Sequence, residues 1–227
     1  MRISNQRLGV GVPMSWTHVH AAFFDSFVTM RKPEWLYFRA SNGPIEELRN
    51  QIVRDARAAS CSHLLLMDTD QTYHPDTIPR LLAHNLPVVG ALVYRRYPPF
   101  DPLMYRGKIN HYRTVTEWEP DSLVEVDATG TGCILYRMDV FDALPDPWFT
   151  FRKTVHDGQE KVVGEDVGFC SDLKAAGFKI FVDTSVPAGH LTHMEVTEGT
   201  WKLYRKMKEA EAKANSVEHN VLKTEVA

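Results

Sequence analysis

The chain has 227 residues, 44% hydrophobic and 24% charged, which suits one large globular domain or a domain with a C-terminal appendage. Its net charge of −3 argues against a global basic field of the kind that advertises nucleic-acid binding, leaving only local clusters at Arg95-Arg96 and at Arg49, Arg54 and Arg57. Three widely spaced cysteines, Cys61, Cys133 and Cys170, with no CxxC, argue against a disulfide framework or zinc ribbon and read as reduced thiols. No apolar run approaches the roughly 18 residues of a membrane span, and no signal pattern opens the chain.

Taken in order, Arg7 to Met14 predicts a first strand, and Thr17 to Met30 a helix with Val19, Ala22, Phe23, Phe27 and Met30 on one side. Trp35 to Ala40 predicts a second strand. The turn Ser41-Asn42-Gly43-Pro44 opens a helix over Pro44 to Ala59. A buried strand, Leu64-Leu65-Leu66-Met67, follows and ends in a turn. Pro75 to His84 predicts a short helix and Pro87 to Tyr94 a strand. This alternation points to an α/β fold with a mostly parallel sheet and helices on both faces.

Tyr97 to Asp121 and Pro145 to Val163 show no period and read as irregular. Between them, Val124 to Ala128 and Cys133 to Arg137 predict strands around Thr129-Gly130-Thr131-Gly132, and Met138 to Leu144 a short helix. Glu165 to Ala176 predicts a helix stopped by Gly177, then a strand from Phe178 to Val182 and a loop from Pro187 to His193. From about Thr197 the chain reads as a charged helix and polar tail, suited to a peripheral or self-associating role.

The residues with the most chemistry are Asp68-Thr69-Asp70, directly after the apolar strand. Ligands of open α/β sheets bind where such strands end. Alternate residues of an extended segment point the same way, so both carboxylates can face one hard cation such as Mg²⁺ or Mn²⁺. Two solvated aspartates in a turn are the plain alternative.

With Asp68-Thr69-Asp70 after its strand, the loop Thr129-Gly130-Thr131-Gly132 before the strand Cys133-Ile134-Leu135-Tyr136, Gly164-Glu165-Asp166 opening a helix, His190 in Val186-Pro187-Ala188-Gly189-His190, and Leu48-Arg49-Asn50 upstream, the chain resembles the GT-A glycosyltransferases of the family 2-like type, small forms of which occur in phages and bacteria. The motifs stand in the family's order over roughly residues 8 to 195. The resemblance implies a single GT-A (Rossmann-like) domain over 1–195 with a C-terminal helical tail over 196–227. Its nucleotide-binding half would span about 1–94 and its acceptor half about 95–195.

It implies a nucleotide-sugar donor, UDP-hexose by default, and Mn²⁺ or Mg²⁺. Asp70 would be the direct ligand, Asp68 would reach the ribose or a metal-bound water, and His190, or His193 three residues on, would complete the shell. Arg49, Asn50, Asp68, Gly130, Thr131 and Gly132 would contact the nucleotide-sugar. Asp166 would be the general base of an inverting transfer, with Glu165 favouring the helix dipole or bonding the acceptor. Arg95 is a candidate for phosphates or an anionic acceptor, and Trp148 for stacking on a sugar. The acceptor would be a glycan, a protein or a modified nucleobase in DNA, and the location cytoplasmic (host cytoplasm if phage-encoded).

Two other readings fit parts of the pattern. Asp68-Thr69-Asp70-Gln71-Thr72 matches the nucleophile motif of haloacid-dehalogenase-like phosphatases, with Asp68 attacking phosphorus and Asp70 as acid/base. A non-catalytic nucleotide-sugar or glycan-binding module on the same fold is the second.

Overall fold

A computed structural model describes residues 7–210. The first half alternates strand and helix as predicted: β1 (Leu8–Met14), α1 (Ala21–Thr29), β2 (Trp35–Ser41), α2 (Ile45–Ala58), β3 (His63–Met67), β4 (Gln71–Tyr73), α3 (Thr77–Ala83) and β5 (Val88–Val93). Then come β6 (Met104–Arg106), β7 (Arg113–Thr114), β8 (Leu123–Val126), β9 (Ala128–Thr129), β10 (Cys133–Arg137) and α4 (Asp139–Asp142). The last elements of this unit are β11 (Arg152–His156), β12 (Gln159–Val163), α5 (Glu165–Ala175) and β13 (Ile180–His190).

The central sheet runs β2-β1-β3-β10-β5-β13-β4, with β8 also on β13. β2, β1, β3, β5 and β13 share one direction, and β10, β8 and β4 oppose it. The predicted mostly parallel sheet is therefore present by strand direction, with β10 inserted antiparallel between β3 and β5. Strand alternation divides the core in two. Leu64 and Leu66 of β3 pack on one face with Ile52 of α2 and Phe169 of α5, while Leu65 and Met67 pack on the other with Phe23 of α1 and Leu81 of α3.

Local chemistry explains the helices. Leu48, Ile52, Val53 and Ala56 form one buried stripe on α2, whose first turn carries Glu46 and Glu47 and whose last carries Arg57, matching the dipole. α5 ends as predicted at Gly177, whose φ of +87° lets the backbone turn and return Phe178 N–H to the Leu173 carbonyl.

Three expectations are corrected. The segment from Pro187 is not a loop. β13 continues to His190, with a register shift between Asp183 and Pro187 that accommodates the proline, and its end pairs with β4. Past the expected turn at Asp70, β4 forms because β13 supplies a partner. The two irregular stretches also hold structure: β6 pairs with β7 and β9, and β11 with β12 as a hairpin. The hairpin had a sequence signal, since Asp157-Gly158 takes the positive φ values (52° and 74°) of a tight primed turn.

Residues from Thr192 onward form a second unit, helical over 198–210 among the described residues, with the Glu198–Lys202 pair along it. The rest of the predicted tail lies outside the described residues. All three cysteines are buried and free. Among the described residues no helix is long and apolar enough to cross a membrane.

Candidate active site

The candidate motifs meet where β3 and β10 end side by side. Met67 lies opposite Cys133, so Asp68 and Gly132 are the next residues on neighbouring strands, and the Asp68 N–H donates to the Gly132 carbonyl at 2.9 Å. The buried Tyr73 hydroxyl lies 2.6 Å from the Asp68 carbonyl and 3.0 Å from that of Gly132, pinning both turns. A Cβ on Gly132 would sit 1.9 Å from Gln71 Nε2 and 3.0 Å from Asp68 Oδ2. Glycine is therefore required here by close packing, and Gln71, which sequence reasoning missed, fills the space. Thr131 is buried.

At one pole stands Asp70. Its Oδ2 accepts from Arg96 Nη1 at 2.6 Å and lies 3.4 Å from His190 Nε2, while its carbonyl accepts from the Leu191 N–H at 2.8 Å. His190 Nδ1 is 2.7 Å from the Tyr94 carbonyl, which can only accept, so Nδ1 carries a proton and Nε2 is aimed at Asp70. In the neutral imidazole two acceptors would face each other, an arrangement that calls for a positive charge between them. The hydrogen bond to Asp70 accordingly raises the His190 pKa against the opposing effect of burial. Burial would raise Asp70, but His190 and Arg96 outweigh it and hold the carboxyl below its ordinary range.

At the other pole is α5. Asp166 Oδ1 accepts from the Val167 N–H at 2.7 Å, and Oδ2 faces the glycine loop, 4.0 Å from where a Gly130 Cβ would be. Burial raises the Asp166 pKa, with Arg49 opposing. Between the poles Arg49 joins two carboxylates: its Nη2 donates to Asp68 Oδ1 and Oδ2 at 3.0 and 3.2 Å, and its Nη1 to Glu165. Burial works against the Arg49 charge, but Asp68, Glu165 and Asp166 overcome it and hold its pKa above the ordinary value.

Several candidates sit elsewhere than expected. Arg49 is spent on Asp68 and Glu165, because a buried guanidinium needs anionic partners. Glu165 is buried on Arg49 and not presented to an acceptor. Asn50 is buried, accepting from the N–H groups of Trp148 and Phe149 and donating to the Phe149 carbonyl, so it fixes a loop rather than a nucleotide. Trp148 is buried with its indole N–H on the Phe141 and Leu144 carbonyls, unavailable for sugar stacking. Arg95 is exposed; its neighbour Arg96, in the bend that follows the strand, is the one that pairs with Asp70. His193 belongs to the second unit.

Among the described residues no three His, Cys, Asp or Glu side chains converge to hold a metal ion. The two-donor set Asp70 and His190 nevertheless fits Mn²⁺ or Mg²⁺, which commonly take few protein ligands and complete their shell with substrate phosphates. The Tyr94 carbonyl orienting His190 is the kind of support that metal-binding histidines have.

No protein-family model and no curated protein matches the chain. Solved structures do. A197 from STIV matches at 15% identity with a TM-score of 0.56, over 82% of this chain and 86% of A197. GalNAc-T7, solved with UDP, GalNAc and Mn²⁺, matches at 12% identity and TM-score 0.57, over 85% of this chain and 45% of its own. S. aureus TarS 1-349 in complex with UDP-GlcNAc matches at 14% identity and TM-score 0.51, over 84% and 60%. The chain thus spans about half the length of the two glycosyltransferases. What it shares with them is the fold, a mixed α/β sheet flanked by helices of the GT-A type.

Proposed function

We propose that the protein is a metal-dependent glycosyltransferase that moves a hexose from a UDP-sugar to an acceptor hydroxyl with inversion. The observation that carries the reading is His190 Nε2 aimed at Asp70 Oδ2 by the bond from Nδ1 to the Tyr94 carbonyl. The UDP, Mn²⁺ and UDP-GlcNAc in the neighbouring structures support the donor class. A divalent cation bound by Asp70 and His190 would supply neutralisation of the charge that develops on the leaving diphosphate. Arg96 beside Asp70 adds a guanidinium suited to phosphate oxygens.

Asp166 is the base. Its Oδ2 removes the proton of the acceptor hydroxyl as that oxygen attacks the anomeric carbon, and its raised pKa favours holding that proton. Arg49 pairs with both Asp68 and Glu165, leaving one net negative charge among the three, so Asp166 works beside paired neighbours rather than two further free carboxylates. The phosphatase alternative needs Asp68 as a free nucleophile, and both Asp68 oxygens are engaged by Arg49.

Calorimetry of UDP with and without Mn²⁺ tests the reading. Binding should depend on Mn²⁺ and be lost in Asp70→Ala and His190→Ala. Equal UDP affinity with and without the ion, or no binding at all, would overturn it.

A further inference from the structure

We infer that the acceptor is a single-stranded nucleic acid, held by the surface segment 94–113 beside Asp166. This deepens the glycosyltransferase reading and rests on Asp166 as its base. Although the whole chain has a net charge of −3, residues 94–113 carry five cations, Arg95, Arg96, Arg106, Lys108 and Arg113, against one carboxylate, Asp101. All five cations are exposed. Arg96 serves Asp70, but among the described residues Arg95, Lys108 and Arg113 have no carboxylate within ion-pair distance. Aromatic rings are interleaved with them: Tyr97 is 60% exposed, Phe100 43% and Tyr94 39%, and the Arg96 guanidinium lies over the Tyr97 ring. Exposed rings followed along one segment by exposed cations suit a single strand, since bases stack on the rings while phosphates take the charges.

The segment is placed against the catalytic carboxylate. The Arg95 N–H donates to the Asp101 carbonyl, the Leu103 N–H to the Val93 carbonyl, and the Thr129 hydroxyl to the Leu103 carbonyl. The Leu103 side chain lies 3.0 Å from where a Gly130 Cβ would be, on the same glycine that Asp166 Oδ2 faces. Arg96 therefore serves the donor pole, while Leu103 brings the segment to the glycine that the base faces. A strand lying on this surface brings a nucleotide hydroxyl to Asp166. Its proton passes to Oδ2, its oxygen bonds to the anomeric carbon of the nucleotide-sugar, and the bond to the diphosphate breaks with the electron pair leaving on UDP.

Fluorescence anisotropy with a labelled single-stranded RNA oligonucleotide, each residue of which offers a 2′-hydroxyl, over a series of salt concentrations, tests the inference. Affinity should fall with salt. The slope of log K against log salt should shrink by about 0.7 in each of Lys108→Ala and Arg113→Ala. Tyr97→Ala should weaken binding about fivefold or more. All three variants should keep the parent's Mn²⁺-dependent UDP affinity, which separates loss of this surface from loss of fold or donor site. Absence of oligonucleotide binding, with Mn²⁺-dependent UDP binding intact, overturns the inference and leaves the transferase standing. Equal competition by heparin with no effect of Tyr97→Ala overturns it in favour of a general polyanion surface. Oligonucleotide binding without any UDP binding removes the acceptor role and overturns it through its premise.

Discussion

Replacing Arg49 with Met tests the buried charge network directly. The Arg49 side chain is 5% exposed and Glu165 8%, so this pair follows the energetics of buried ions, whereas Asp68 at 26% is partly hydrated. Removing one member of a buried pair costs about 3–5 kcal/mol, because the remaining charge keeps its desolvation penalty and loses its partner. For a unit of this size that is a fall in Tm of roughly 6–20 °C, at about 2–4 °C per kcal/mol. The pH dependence has a definite sign. Burial raises the Glu165 pKa even with Arg49 present, so its ionised form is disfavoured in the folded state, and without Arg49 more so. The deficit should therefore be greatest near neutral pH and shrink as acid protonates Glu165. Thermal melts by circular dichroism across this range, with Arg49→Met/Glu165→Gln recovering part of the loss, form the assay. A Tm within about 2 °C of the parent at neutral pH, in a folded variant, would refute the argument that these charges are coupled and buried.

Asp166→Asn should leave Mn²⁺-dependent UDP binding near the parent value and slow sugar transfer, read as UDP release, by about 10²–10⁴-fold; a full transfer rate would exclude Asp166 as base. Gly132→Ala should cost about 1–3 kcal/mol in urea unfolding, since the new methyl meets the buried Gln71 amide and Asp68, and shortening the neighbour in Gly132→Ala/Gln71→Ala should relieve it. Asp183 is buried and accepts from His84 at 2.7 Å and from both Ser185 donors, and these contacts outweigh burial and lower its pKa. A lowered carboxyl pKa stabilises the fold above the unfolded-state value and loses that contribution as pH falls through the folded one. Asp183→Asn should thus cost about 1–3 kcal/mol at neutral pH, a difference that closes in acid below the ordinary carboxylate range.

Periodicity and punctuation in the chain itself determined the α/β alternation through Val93, the buried strand before Asp68, the helix carrying Glu165 and Asp166, and the stop at Gly177. These are local decisions, made by side-chain spacing and backbone preference within a few residues. The carboxylates of Asp68 and Asp70 stood out locally because they end an apolar strand, whereas Asp166, Gly132 and His190 were singled out by the family resemblance of the motifs in their order. Only the tertiary structure decided what each side chain touches. Arg49 lies 116 positions from Glu165 and 19 from Asp68, and nothing in its local context reveals that both carboxylates claim it. Asn50 and Trp148 looked like ligand contacts because polar and aromatic residues near motifs often are, yet a loop 98 residues away bonds Asn50 into the core. The strand from Pro187 to His190 was unreadable because pairing energy comes from β5 and β4, elements distant in sequence, and overrides a Pro-Ala-Gly run that locally favours a loop. Arg96 rather than Arg95 meets Asp70 because the chain bends after Tyr94, where the bridge to Pro102 and the bond from the Arg95 N–H to the Asp101 carbonyl exist only once the chain has folded.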